Sequence, residues 1–152
     1  LETNNQLSQN NTEGLTVSVF VGVIDLKTGD MDYINAGMPN TIVKCAGTSF
    51  EEVSEVKSFI LANMENVNFQ QNHINFMQGD MMMLYTSGVS ETKNQYGDEF
   101  SEPYVAIQLN EIIKREYELD KILEAMNDSL IEFKGGSDDT SSGVMLIFRF
   151  FG

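Results

Sequence analysis

The sequence predicts an α+β domain built on a mostly antiparallel sheet, and three observations carry that reading. Apolar runs bounded by turn residues dominate the chain as far as Thr86. Two stretches of helical periodicity follow, and one more apolar run closes the chain. Strands, then helices, then a strand is the order of an α+β fold, with no internal repeat. At 152 residues and 41% apolar content the chain is long enough for one domain with a real core and too short for two ordinary ones.

Residues 1–14 are polar and rich in Asn and Gln, and read as the frayed end of a helix or a disordered lead-in with no core-forming face. The domain proper is expected over residues 15–152. Leu15 to Ile24 alternates at first and then becomes continuously apolar, as in a strand covered on both faces. Asp25 to Asp30 supplies turn chemistry, with Gly29 free to take a positive φ, and Met31 to Ala36 returns as the second strand of a hairpin. Gly37-Met38-Pro39-Asn40 breaks that strand. Thr41 to Cys45 offers a short one, with Cys45 expected as a small buried hydrophobe. Ser49 before Glu51-Glu52 resembles a helix start, which allows a short helix through Ile60. Asn66 to Phe69 and His73 to Phe76 are strand-like, with His73 an ordinary exposed side chain that nothing joins into a ligand set.

Gly79-Asp80 turns the chain into Met81 to Thr86, a buried strand whose three methionines fill core space. A polar loop over Glu91 to Gly97 precedes two helices. The first opens near Pro103, with Val105, Leu109, Ile112 and Ile113 at helical spacing. The second runs from about Leu119 to Phe133, carries Ile122, Leu123, Met126 and Leu130 on one face, and ends at Gly135-Gly136. Ser137 to Thr140 forms a loop before a final buried strand, Gly143 to Phe150.

Composition narrows the function classes. With 23 acidic against 9 basic residues the formal net charge is −14, and no basic stripe exists to drive counterion release from nucleic acid or from an anionic membrane. A single cysteine rules out an intramolecular disulfide framework and a cysteine zinc cluster. No apolar run approaches the ~18 residues of a membrane helix, and no signal-peptide pattern opens the chain, so a cytoplasmic domain is expected. The first residue is Leu1, not Met, which suggests a fragment or a processed product.

Four segments, in order, resemble one family. They are Val19-Phe20-Val21-Gly22-Val23-Ile24-Asp25-Leu26-Lys27-Thr28-Gly29, continuing through Tyr33 to Gly37; Gly79 to Glu91, which contains Tyr85-Thr86-Ser87-Gly88-Val89; Asn94 to Phe100; and Asp138-Asp139-Thr140 before an apolar strand. Together they resemble the catalytic domain of metal-dependent serine/threonine phosphatases of the protein phosphatase 2C superfamily, in the branch of stage II sporulation protein E. The resemblance implies a β-sandwich flanked by helices. It also implies two bridged Mn²⁺ or Mg²⁺ ions that remove phosphate from phosphoserine or phosphothreonine of a partner, commonly an anti-sigma-factor antagonist. Hard divalent ions take carboxylate and water oxygens, and a paired-metal site activates a bridging water and clamps the phosphoryl oxygens, so several aspartates must converge.

The chain departs from that pattern. The family's Thr-Asp-Gly-Val is here Thr86-Ser87-Gly88-Val89, which puts a neutral hydroxyl in place of a carboxylate. Its Ala-Gly-His-Asn-Pro is Ala36-Gly37-Met38-Pro39-Asn40. The N-terminal portion that carries further aspartates in the family has no counterpart in this sequence. The resemblance therefore implies Asp138 and Asp139 as the remaining metal position and Ser87 as a degenerate one, with Mn²⁺ or Mg²⁺, or no ion at all, bound. Ser87 is no nucleophile either, because no base accompanies it. The expectation is a degenerate phosphatase domain of a bacterial signalling protein with little activity of its own. The alternative is an active enzyme completed by an N-terminal segment outside this sequence. Lacking part of the family fold, residues 15–24 or the last strand should present an unpaired edge, and self-association should cover it.

Overall fold

The computed structural model describes residues 1–152, and the chain forms two compact units, one of residues 1–38, 54–76 and 152, the other of residues 39–53 and 77–151. Every pairing between the strands named below is antiparallel.

In the first unit, helix α1 (Glu2–Gln9) precedes a three-stranded sheet of order β1-β2-β5, with β1 at Val19–Ile24, β2 at Asp30–Ala36 and β5 at Asn72–Asn75. The hairpin is the expected one. Asp25 accepts a hydrogen bond from the Lys27 amide at 2.8 Å, and Gly29 takes φ 78°. Its strand face differs from expectation, because β1 has a neighbour on one side only and Val21 and Val23 are exposed. Residues 15–18 lie outside the strand, tied by a single bridge from Val17 to Leu61. The other face of β1 is half-buried: Phe20 stacks on Tyr33 at 5.0 Å between ring centres, and Gly22 leaves room for the Met31 side chain.

The asparagines near the N-terminus have a structural use. Asn4 is buried in α1; its side chain accepts from the Ala62 amide at 3.0 Å and donates to the Met64 carbonyl at 2.8 Å. Asn11 donates to the Ala62 carbonyl at 2.9 Å. These bonds hold Ala62 at φ 66°, in the left-handed region that alanine rarely occupies. Of the two alternatives the sequence left open for residues 1–14, a helix forms over most of them.

One further expectation fails in this unit. Asn66 to Phe69 is not a strand, and Asn66 sits at φ 58°, which breaks extended backbone. His73 is exposed, as expected; the register places it opposite Asp32, whose carboxylate lies 3.0 Å from Nδ1, and Asp30 lies 3.5 Å from Nε2. Hydrogen bonds from Thr28 and Asn75, helped by the His73 charge, hold the Asp30 carboxyl below its usual range.

In the second unit a four-stranded sheet runs in the order β4-β3-β6-β7, with β3 at Ile42–Lys44, β4 at Phe50–Glu52, β6 at Met81–Tyr85 and β7 at Met145–Arg149. Helix α3 (Glu102–Ile112) and helix α4 (Leu119–Lys134) cover one face, preceded by the single turn α2 (Ser87–Ser90). Met81, Met83 and Tyr85 from β6 pack with Ile42, Phe50, Leu109, Ile112, Ile122 and Met126 to make the core. The helical spacing of the apolar residues produced this contact, and Gly135 at φ 56° ends α4 as expected. β7 is an edge strand, half-buried and not fully covered, with Leu146 exposed.

The expected helix from Ser49 to Ile60 is absent, and β4 stands in its place. Phe50 buries its ring in the core, and the Asn110 side chain grips both backbone groups of Phe50. Oδ1 accepts from the amide at 2.7 Å, and Nδ2 donates to the carbonyl at 2.9 Å, so a helix residue serves as a substitute neighbouring strand. Cys45 is exposed, not buried, because it lies in the turn after β3 where its carbonyl accepts from Thr48.

Candidate active site

Three of the four sequence segments that suggest a phosphatase meet in the second unit. β6 ends at Tyr85, and the Thr86 amide donates to the Val144 carbonyl at 3.0 Å while the Val144 amide donates to Thr86 Oγ1 at 2.9 Å. The following turn packs closely on the loop before β7. A Cβ on Gly88 would lie 2.1 Å from the Ser142 carbonyl oxygen, and one on Gly143 would lie 2.3 Å from Val89. Both positions therefore require glycine for contact and not for φ. Thr92 donates to the Gly88 carbonyl at 2.8 Å and closes the turn from the other side.

The Asn94 to Phe100 segment is shaped by Asn94, which accepts from the amides of Tyr96 and Asp98 at 2.9 and 3.0 Å. Asp139 ties this segment to the 137–144 loop. One carboxylate oxygen accepts from the Lys93 amide at 3.0 Å; the other accepts from the Ser141 amide at 3.1 Å and from Ser141 Oγ at 2.7 Å. The Lys93 and Ser141 bonds, helped by the charge of Lys134, hold its carboxyl down at about 2. A recess of about 420 Å³ opens here, lined among others by Lys93, Asn94, Ser137, Asp138 and Asp139.

The residues singled out in the sequence thus occupy different positions. Asp138 is exposed on this rim with no hydrogen bond or ion pair. Asp139 has both oxygens engaged in holding the loop. Ser87 is exposed as the first residue of α2, and its carbonyl accepts from Ser90 Oγ and the Glu91 amide. The structure brings the turn at 86–88 against the loop at 142–144, but it adds no further carboxylate to Asp138. Nowhere do three His, Cys, Asp or Glu side chains converge so as to hold a metal ion. A dinuclear Mn²⁺ or Mg²⁺ centre needs several converging carboxylates, and the donor set present does not fit one. The part Asp139 plays in the loop escaped the sequence reading, although an Asp two residues before a Ser is a recognisable Asx-turn signal.

A family model described as Stage II sporulation protein E (SpoIIE) matches residues 1–148. No curated protein matches the chain. Among solved structures, the SiaA-PP2C domain of Pseudomonas aeruginosa is similar with a TM-score of 0.78 at 16% identity, over 96% of this chain and 57% of that one. The phosphatase domain of the cell fate determinant SpoIIE from Bacillus subtilis gives 0.69 at 12% identity, over 99% and 65%. The catalytic domain of the serine/threonine protein phosphatase PstP, in complex with two manganese ions, gives 0.64 at 10% identity, over 95% and 64%. At these identities the likeness is one of fold, and the chain spans less than two thirds of each of these three.

Proposed function

The chain belongs to the stage II sporulation protein E family, and from that premise we propose that it acts as a protein-interaction domain of phosphatase 2C type with little or no turnover of its own. The observation that carries the reading is the mismatch between scaffold and donors. The turn at 86–88, the 93–99 segment and the loop at 137–144 are joined as a site, yet Ser87 offers a hydroxyl and Asp138 stands as a lone carboxylate. A neutral hydroxyl contributes no charge to a divalent site, and one exposed carboxylate binds a hard cation weakly. The partner we propose is a phosphoprotein of the anti-sigma-factor-antagonist type, met in the cytoplasm of a bacterium. The net charge of −14 disfavours nucleic acid and anionic membranes as targets, and no helix is long and apolar enough to cross a membrane.

Self-association belongs to the same proposal. β1 is an open edge, and Leu15 to Ile24 contains no charged residue and no proline to block pairing. Val23→Lys should reduce the apparent mass in light scattering at high concentration. A parent chain that stays monomeric under those conditions contradicts the idea.

A second reading is an active phosphatase whose remaining carboxylates come from a preceding segment. It is favoured by one observation, the short span of this chain against its structural relatives. Mn²⁺-dependent phosphate release from a phosphoserine peptide separates the two, with the parent compared with Ser87→Asp. The interaction-domain reading expects no release from the parent even at millimolar Mn²⁺. Clear release would establish the enzyme.

A further inference from the structure

At the opposite end of β3 from Lys44, four oxygen-bearing side chains gather, and none belongs to the phosphatase-like site. The register pairs Ile42 with Glu52 on β4 and with Met83 on β6. Directly opposed residues share a face, so Glu52 lies on the helix-covered face with Ile42 and Met83. Asn40 lies two residues before β3, and continuing the register past the paired stretch would set it opposite Tyr85, on that face again. Glu102 reaches the same place from the first turn of α3.

Asn40 draws the two carboxylates together. Its backbone amide donates to Glu102 Oε2 at 3.2 Å, and its side-chain amide donates to Glu52 Oε2 at 2.7 Å. Neither glutamate has a cationic partner; the ion pairs of the molecule involve other residues. One oxygen of each carboxylate is left over, as is the Asn40 carbonyl oxygen. Tyr85 supplies the second, independent observation. It is only 2% exposed, and its hydroxyl is buried without a hydrogen-bond partner. Burial, with the charges of Glu102 and Glu52 close by, pushes the phenol well above its usual range and keeps it neutral. A buried hydroxyl with nothing to bond is costly, and such a group in a native fold calls for a missing partner.

We propose that Glu52, Glu102, Asn40 and the Tyr85 hydroxyl form a binding site for one hydrated divalent cation of the Ca²⁺ or Mg²⁺ type. Two carboxylate oxygens, an amide carbonyl and a hydroxyl are all hard donors, and water completes the shell of such ions readily. The cation relieves the repulsion between the two glutamates and gives the hydroxyl a partner. It also fastens the start of α3 to the strand end, without touching Asp138 or Ser87. With two charged ligands the affinity belongs to the weak class, a Kd on the order of 10⁻⁴ to 10⁻³ M.

The test is a Ca²⁺ titration of the full chain, followed through the backbone and side-chain amide signals of Asn40 by NMR. The site predicts a saturable shift of both signals. Glu52→Gln and Glu102→Gln, which keep a carbonyl oxygen for Asn40 to donate to, should each abolish saturation, while Asp138→Ala should leave it intact. Tyr85→Phe, which retains the ring in the core, should weaken binding several-fold. Shifts that grow linearly with Ca²⁺, or that survive Glu52→Gln, would overturn the site. An unchanged affinity in Tyr85→Phe would remove the hydroxyl from it and overturn the site as drawn.

Discussion

β6 lies between β3 and β7, and four of its five residues are buried. β1, no less apolar, has a neighbour on one side only and leaves Val21 and Val23 55% and 74% exposed. From the sequence both read as strands covered on two faces. The difference lies in position: β6 is central in its sheet and carries α3 and α4 on one face, whereas β1 is an edge. An apolar run shows that a strand seeks cover, and the rest of the fold decides how much cover it finds.

Substitutions on the two strands should separate them most clearly. Met83→Ala removes a fully buried side chain from the core and should cost about 2–5 kcal/mol in urea unfolding. Val23→Ala, measured in dilute solution, should fall within about 0.5 kcal/mol of the parent. Equal losses at the two positions would show that the exposed valine is covered after all.

A second contrast sets contact glycines against open ones. Gly88→Ala drives a methyl into the Ser142 carbonyl and should destabilise by about 1–3 kcal/mol. Gly136→Ala meets open space and should change stability by less than about 0.5 kcal/mol. A harmless Gly88→Ala would mean that the 86–88 turn and the 142–144 loop are not held together.

A smaller effect distinguishes the paired aspartates. Asp139→Ala should speed amide exchange at Lys93 and Ser141, while Asp138→Ala should leave both unchanged. The pH dependence follows from the sign of the shift. A carboxyl held at about 2, below the ordinary value of 3.8, contributes to loop order above pH about 4 and loses that contribution as pH falls toward 2. Protection of Lys93 and Ser141 that instead fails between pH 5 and 4 would contradict the assignment.

The sequence revealed most where structure is local. The hairpin turn at Asp25–Gly29, the helical periodicity of α3 and α4, and the glycine ending α4 all rest on interactions within a few residues. It failed where a distant partner decides the outcome. Phe50 is in a strand because Asn110, sixty residues away, holds its backbone. Asn4 is buried because Ala62 and Met64, some sixty residues away, need its amide. At the candidate site the convergence of the 86–88 turn with the 137–144 loop was legible from the family resemblance. Asp139's local turn with Ser141 had a sequence signal, but its tie to the Lys93 amide, a backbone group 46 residues away, had none.

We propose that this chain keeps the scaffold of a phosphatase 2C site without a full set of metal-binding donors. The most direct test titrates Mn²⁺ into the parent chain and follows the amide signals of Lys93, Asp139 and Ser141, all beside Asp138. Those signals should remain unbroadened at micromolar Mn²⁺. Selective broadening of this group at micromolar Mn²⁺ would mean that a working donor set exists around Asp138, and it would contradict the account.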